Sequence, residues 1–289
     1  MRHSPLTTSG PSHRKRDKDP DTGPDPALPL VAVAHGSSDP RAAASVDTLL
    51  SLVRARAAAA GYPGLDVRAA YLGHAAPTLA QALGAVDGTA VVLPLLLTAA
   101  YHSKTDIPKV LHEVRRARPR LGISYGRPLG PHPLLRRALE RRLAEAADGE
   151  PPWASAAVPA ASTTAVVLAA AGSSDPAANA VITDQAECWQ AERGWRAVRP
   201  AYASAASPTP PEAVAAARRS GARRVLVASY LLCPGVFADQ VRSDCLAAGA
   251  DAVSPVLGAA PEIADIVLGQ YAESLTSGAV QVTDGAALG

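Results

Sequence analysis

Aromatic side chains are scarce in this chain: they make up 4% of its 289 residues, with a single Phe. A core built on stacked rings is thereby excluded, and the interior must come from Ala, Val and Leu. Cysteine is also rare. Cys188, Cys233 and Cys245 form no close pair, which excludes a C-x-x-C site and argues against a disulfide framework. A reducing cytoplasm is the expected location. No apolar run approaches the ~18 residues that span a membrane, and the N-terminus lacks the apolar segment of a signal peptide. The net charge of +2 is too small to predict nucleic acid as a partner. The chain has no G-x-G-x-x-G, no G-x-x-x-x-G-K-[ST] and no H-E-x-x-H. One further absence is local. All seven histidines (3, 13, 35, 74, 102, 112 and 132) lie in the first half.

What is present suffices for two cores. The composition is 48% hydrophobic and 19% charged, and the length suits two domains. Residues 1–28, rich in Pro, Ser, Thr, Gly and charge, are expected to be a disordered tail, with the basic cluster from His13 to Lys18 solvated. Order is expected to begin with an apolar run at 30–34 that Gly36 ends, the pattern of a buried parallel strand. After Asp39-Pro40, the residues Val46, Leu49, Leu50 and Val53 recur at helical spacing. Further strands are expected at 65–72, 90–97 and 121–125. Helices should follow Pro77, a cap at Asp106, and Pro133. This βαβαβαβα order predicts a parallel sheet with helices on both faces.

The order then repeats. Val31-Ala-Val-Ala-His-Gly-Ser-Ser-Asp-Pro40 matches Val167-Leu-Ala-Ala-Ala-Gly-Ser-Ser-Asp-Pro176, and Arg68-Ala-Ala-Tyr71 with Pro77-Thr78 matches Arg199-Pro-Ala-Tyr202 with Pro208-Thr209. Two later landmarks follow in register: 91–97 with 226–232, and Leu129-Gly130 before Pro133 with Leu257-Gly258 before Pro261. The expected organisation is a first domain at 29–147, a linker at 148–162, a degenerate second domain at 163–275, and a flexible tail at 276–289.

The duplication acts as an internal control. His35 directly follows the first strand and His102 follows the third. In open parallel sheets, ligands bind outside the carboxyl ends of strands. Imidazole suits divalent iron, cobalt, nickel or zinc, and also accepts protons near neutral pH. His35 aligns with Ala171 inside an otherwise kept Gly-Ser-Ser-Asp-Pro, and His102 aligns at or near Phe237. The second copy therefore keeps the turn and drops both rings, which makes His35 and His102 the candidate catalytic and metal-holding pair. His74, after the second strand and aligned with Ala205, is a candidate third metal contact. Ser37 and Ser38 precede a helix N-terminus, where they can bind an anion or serve the cap. Arg41, Lys104 and Arg127, with Lys109, stand near the same strand ends and suit a substrate with several carboxylates. His132 can face the same cleft, whereas His112 falls on the polar side of its helix.

These motifs resemble the sirohydrochlorin chelatases of the CbiX/SirB type. The resemblance rests on Val33-Ala-His35-Gly-Ser-Ser-Asp-Pro-Arg41, on Pro94-Leu-Leu-Leu-Thr-Ala-Ala-Tyr-His102-Ser-Lys-Thr-Asp-Ile-Pro108, and on Leu129-Gly-Pro-His-Pro-Leu-Leu135. It implies two tandem flavodoxin-like α/β domains facing one another across a cleft. It also implies ATP-independent insertion of Fe²⁺ or Co²⁺ into sirohydrochlorin, with the metal as substrate and no permanently bound cofactor. The metal-binding histidines of the family carry over to His35 and His102. Family members often have a glutamate after the second strand, where this chain reads Tyr71-Leu72-Gly73-His74. The fused pair implies a monomer with an internal pseudo-dimer. A non-catalytic carrier of metal or tetrapyrrole would use the same cleft. A regulatory small-molecule-binding domain would not need the intact histidine pair.

Overall fold

The computed structural model describes residues 27–99, 102–147 and 160–276. The expected N-terminal tail up to residue 26, most of the linker and nearly all of the C-terminal tail lie outside them. So do residues 100 and 101 and the side chain of His102.

The first half runs β1 (Leu30–Ala34), α1 (Pro40–Ala57), β2 (Val67–Tyr71), α2 (Leu79–Gly84), β3 (Thr89–Pro94), a π-helical turn (His102–Asp106), α3 (Ile107–Ala117), β4 (Gly122–Tyr125) and α4 (Pro133–Ala146). A short helix, α5 (Ala160–Thr163), then turns the end of the expected linker directly into the second half. That half runs β5 (Thr164–Ala170), α6 (Pro176–Arg193), β6 (Ala197–Tyr202), α7 (Pro210–Arg219), β7 (Arg224–Tyr230), α8 (Val236–Ala247), β8 (Ala252–Val253) and α9 (Pro261–Thr276). The sheets are parallel, with orders β2-β1-β3-β4 and β6-β5-β7-β8. In each, the chain leaves its first strand in one direction and returns on the other side. The reversal lies between β1 and β3 in one half and between β5 and β7 in the other, where a doubly wound sheet opens a crevice.

The repeat landmarks are helix starts. Asp39 and Asp175 cap α1 and α6, accepting from the backbone N–H of Arg41 and Ala177 at 2.9 Å each. Thr78 and Thr209 begin α2 and α7, and their backbone N–H groups donate to Gln81 and Glu212 at 2.8 Å. The expected cap at Asp106 is not made by its side chain, because the π turn runs straight into α3. The turn has a cause in the repeat. Leu96 and Leu231 accept equivalent hydrogen bonds from Leu129 and Leu257. From there to the first buried residue of the next helix, Ile107 or Val241, the first half is one residue longer. A π turn absorbs such an insertion, and it is the turn that carries His102.

Alternate strand residues feed opposite faces. Val31, Val33 and Val92 pack outward with α2 and α3, and Val167, Val225 and Val227 with α7 and α8. The inward set of both sheets belongs to one continuous core with α1, α4, α6 and α9. Within it the last helices change places. α4 packs on β7 and β8 of the second half, while α9 packs on α1, β3 and β4 of the first. Polar contacts fix both. Tyr271 donates to the Leu28 carbonyl at 2.7 Å, and Gln270 to that of Pro128 at 2.8 Å. On the other side, Trp189 and Arg193 of α6 grip the buried Glu140 of α4.

Candidate functional site

The exchange of helices holds the two reversal points face to face. Between them opens a cleft of about 700 Å³, lined by the ends of β1, β3, β5 and β7, the starts of α1 and α6, and the first turn of α8. His35, Ser37 and Ser38 line it from the first half, and Ala171 and Ser173 stand at the matching places in the second. Tyr230 closes the floor. Its hydroxyl donates across to the Leu97 carbonyl at 3.1 Å, and burial pushes its pKa up.

The His35 turn is built from backbone. The His35 carbonyl accepts from Gly73 N–H at 3.2 Å, and the Ala171 carbonyl from Ser204 N–H at 2.9 Å. Gly36 and Gly172 have φ of +89° and +86°, and a Cβ on either would lie 1.8 or 2.0 Å from the carbonyl oxygen of Gly73 or Ser204. Neither position admits a side chain, which explains the glycine in both copies. Ser37 and Ser173 accept from the N–H of Asp39 and Asp175 at 3.1 and 3.0 Å. These serines serve the turn in both halves, including the one without histidine.

His35 itself is exposed to the cleft. Its Nδ1 lies 3.0 Å from the Gly36 carbonyl oxygen. A carbonyl oxygen only accepts, so Nδ1 carries the proton in this contact, and in the neutral ring the lone pair is then on Nε2. The contact ties the ring to its own backbone, as the outer hydrogen bond does in a metal-ligating histidine. Ala171 makes the same turn with no ring.

Of the predicted cations, Arg41, Lys104 and Arg127 are engaged with carboxylates. Arg41 lies between Asp39, at 2.6 Å, and Asp239 of α8, at 2.7 Å. Lys104 reaches Asp175 at 3.1 Å. These pairs are related by the internal repeat. In each, the N-cap carboxylate of one half meets the segment following the third strand of the other. Where that segment brings Lys104, the pair forms directly. Where it brings Asp239, two carboxylates would repel, and Arg41 stands between them. Lys104 holds Asp175 below the usual carboxylate range, and Arg41 does the same to Asp39.

Neither Arg41 nor Lys104 is among the residues that line the cleft, and other sequence candidates are not brought to it. Arg127, beyond the edge strand β4, pairs with Glu273 of α9 at 3.0 Å. His132 caps α4, its Nδ1 accepting from Leu134 N–H at 3.1 Å, and burial together with Arg127 lowers its pKa. His74 is exposed with φ +60°, and its counterpart Ala205 has +57°. The left-handed turn is thus kept whatever the side chain. Lys109 and His112 lie exposed on α3, outside the lining. Among the described residues, no three His, Cys, Asp or Glu side chains gather into a metal-holding group. His74→Ala is expected to leave metal-insertion rate and melting temperature nearly unchanged, since an exposed substitution away from a site changes free energies by ~0.5 kcal/mol or less. A tenfold loss of rate would restore His74 as a metal contact.

Sequence reasoning expected the second half to face the first across the cleft but singled out none of that wall's lining residues, among them Asn179, Cys233, Val236 and Phe237. It also missed the counter-ions Asp175 and Asp239. The repeat carried the signal for the wall, because each of its segments matches one that was singled out in the first half.

Two doubly wound α/β halves, with their reversal points turned into one shared cleft, define a protein that encloses a ligand between repeated domains. The CbiX family model matches residues 29–146 and 165–274. The chain belongs to the CbiX family. It is 27% identical over 191 residues to a sirohydrochlorin ferrochelatase of Priestia megaterium, covering 65% of this chain and 68% of that one. It is 30% identical over 156 residues to a sirohydrochlorin cobaltochelatase of the same organism, covering 54% and 48%. Its fold is similar to that of SirB from Bacillus subtilis, solved with Fe³⁺, with a TM-score of 0.70 and 23% identity over 87% of this chain and 96% of that one. No helix among the described residues is long and apolar enough to cross a membrane.

Proposed function

We propose that the protein inserts Fe²⁺ or Co²⁺ into sirohydrochlorin without ATP, in sirohaem or cobalamin synthesis. The observation that carries this reading is His35, exposed at the β1/β3 reversal point with its Nδ1 on the Gly36 carbonyl. Family membership and the names of the relatives support it.

Metallation requires a dehydrated divalent ion at the macrocycle centre and removal of two pyrrole N–H protons. Imidazole binds such ions through nitrogen and takes up protons near neutral pH. His35 and His102 are assigned these roles. Holding the ion through few ligands favours its release into the four macrocycle nitrogens. Arg41 and Lys104 are assigned to the peripheral carboxylates of the substrate, exchanging Asp239 and Asp175 for them. Ser38, exposed at the same loop, lies within the substrate's reach. The pairing of the two halves within one chain fits a monomer.

The test mixes the full chain with sirohydrochlorin and Co²⁺, or Fe²⁺ without oxygen, and follows visible absorbance against the protein-free rate. Acceleration of tenfold or more is expected. Tight binding of ion or macrocycle without acceleration would instead establish a carrier.

A further inference from the structure

The two walls of the cleft differ in chemistry. The first half lines it with His35, Ser37, Ser38 and Asp39 beside the apolar Leu95 to Leu97, and it alone carries an imidazole and a carboxylate. The second adds Ser173 and Asn179 and presents an apolar run through Leu231, Leu232 and Pro234 into Val236 and Phe237 at the first turn of α8. Its Cys233 thiol is pushed up to about 11 by burial, although its contact with Ser45 opposes this.

Val236 and Phe237 stand out on this wall. They are 74% and 44% exposed, two of only three large hydrophobic residues exposed among the described residues. Phe237 is also the chain's single phenylalanine. Neither serves the second-half core, which α8 reaches through Val241 and Cys245. The loop before them approaches the other wall, where a Cβ on Gly235 would come within ordinary contact distance, 3.7 Å, of the Asp39 carboxylate that caps α1. The apolar turn therefore begins beside the Ser37–Asp39 loop of the other wall. By sequence, this is also where the first half carries His102. One copy puts an imidazole after its third strand and the other a phenyl ring.

We propose that Phe237, flanked by Val236, is the platform on which the flat face of the tetrapyrrole macrocycle lies, leaving the other face to the histidine wall. The proposal rests on the reading of the cleft as a sirohydrochlorin site and deepens it, naming what orients the ring. An extended planar π-system has two large apolar faces and a carboxylated rim. Stacking one face on a phenyl ring removes both from water and gains the ring-on-ring contact. A metal ion held on the polar wall then meets the open face. Phe237 acts here in substrate binding and positioning, with no part in moving protons.

The experiment compares the full-length protein with Phe237→Ala and Phe237→Trp. It measures the affinity for metal-free sirohydrochlorin, by the change in the macrocycle's own fluorescence, together with kcat and KM for Co²⁺ insertion. Phe237→Ala is expected to weaken binding and raise KM about tenfold, by analogy with ring-stacking contacts removed by alanine, while kcat changes less than threefold. Phe237→Trp should restore the affinity. Melting temperatures should match, since Phe237 lies outside the core. If the unaltered protein binds and metallates sirohydrochlorin but Phe237→Ala does so with unchanged KM and affinity, the platform is overturned. If the unaltered protein neither binds nor metallates it, the functional reading falls, and the platform falls with it.

Discussion

Replacing His35 with alanine is expected to slow metal insertion by about 10²–10⁴-fold, the range for loss of a positioned acid–base group, while the melting temperature shifts by less than about 2 °C. The second expectation is what gives the first its meaning. A catalytic histidine is often replaced at some cost to its turn, and the loss of activity is then ambiguous. Here the protein carries the alanine version of the same turn at Ala171, with the glycine, both serines, the capping aspartate and the carbonyl hydrogen bond retained. The His35 ring is exposed and contributes its Nδ1 contact to its own backbone neighbour. Turnover measured by absorbance, beside a thermal melt, checks both halves of the expectation. His102→Ala is expected to give the same loss of rate. Turnover near that of the unaltered protein in both variants would remove the histidine pair from the mechanism.

Glu140→Ala is expected to cost about 2–3 kcal/mol of stability, a fall in melting temperature of roughly 5–10 °C for a chain of this size. Glu140 is 6% exposed and lies on α4, which the first half lends to the second. Its Oε1 accepts from Trp189 Nε1 at 3.0 Å and from Arg193 Nε at 2.6 Å, and its Oε2 accepts from Arg193 Nη2 at 2.6 Å. Truncation strands the N–H of a fully buried tryptophan. The Arg193 side chain is 42% exposed and turns back to water, so the expected cost is set below that of breaking a fully buried ion pair. Glu140→Gln keeps an acceptor and should lose less. Urea or thermal unfolding of the three proteins gives the comparison, and a loss under 0.5 kcal/mol in Glu140→Ala would mean that the α4–α6 contact adds little.

Several features were legible because they are written in local chemistry. The helical spacing of Val46, Leu49, Leu50 and Val53 reappears as the buried face of α1. The apolar runs appear as β1, β3, β5 and β7, and the Pro-Thr and Asp-Pro landmarks as helix starts. His35 stands at the end of β1 because Gly36 follows it, and a glycine before Ser-Ser-Asp-Pro turns the chain there in both copies. Asp106 looked like a cap because Asp before Ile-Pro is a common helix start. The one-residue insertion instead carried the helix back through a π turn. Arg127 looked like a cleft cation because it follows a strand end, but β4 is an edge strand and its end opens toward Glu273 of α9.

By itself, the sequence determined the duplicated α/β unit, the strand and helix order within each copy, and the retention of imidazoles in one copy alone. These depend on periodicity, turn residues and comparison of the chain with itself. Only the tertiary structure decided which sheet each last helix covers. The apolar stripe of α4 (Leu135, Ala138, Leu139, Leu143) would serve either sheet, and no local signal says which. It likewise decided that Arg41 meets Asp239 and Lys104 meets Asp175, contacts between groups far apart in sequence that exist because the two halves face one another. The residues that make the second wall of the cleft became visible for the same reason. A surface without histidines gains its meaning from the histidine surface that packing sets across from it.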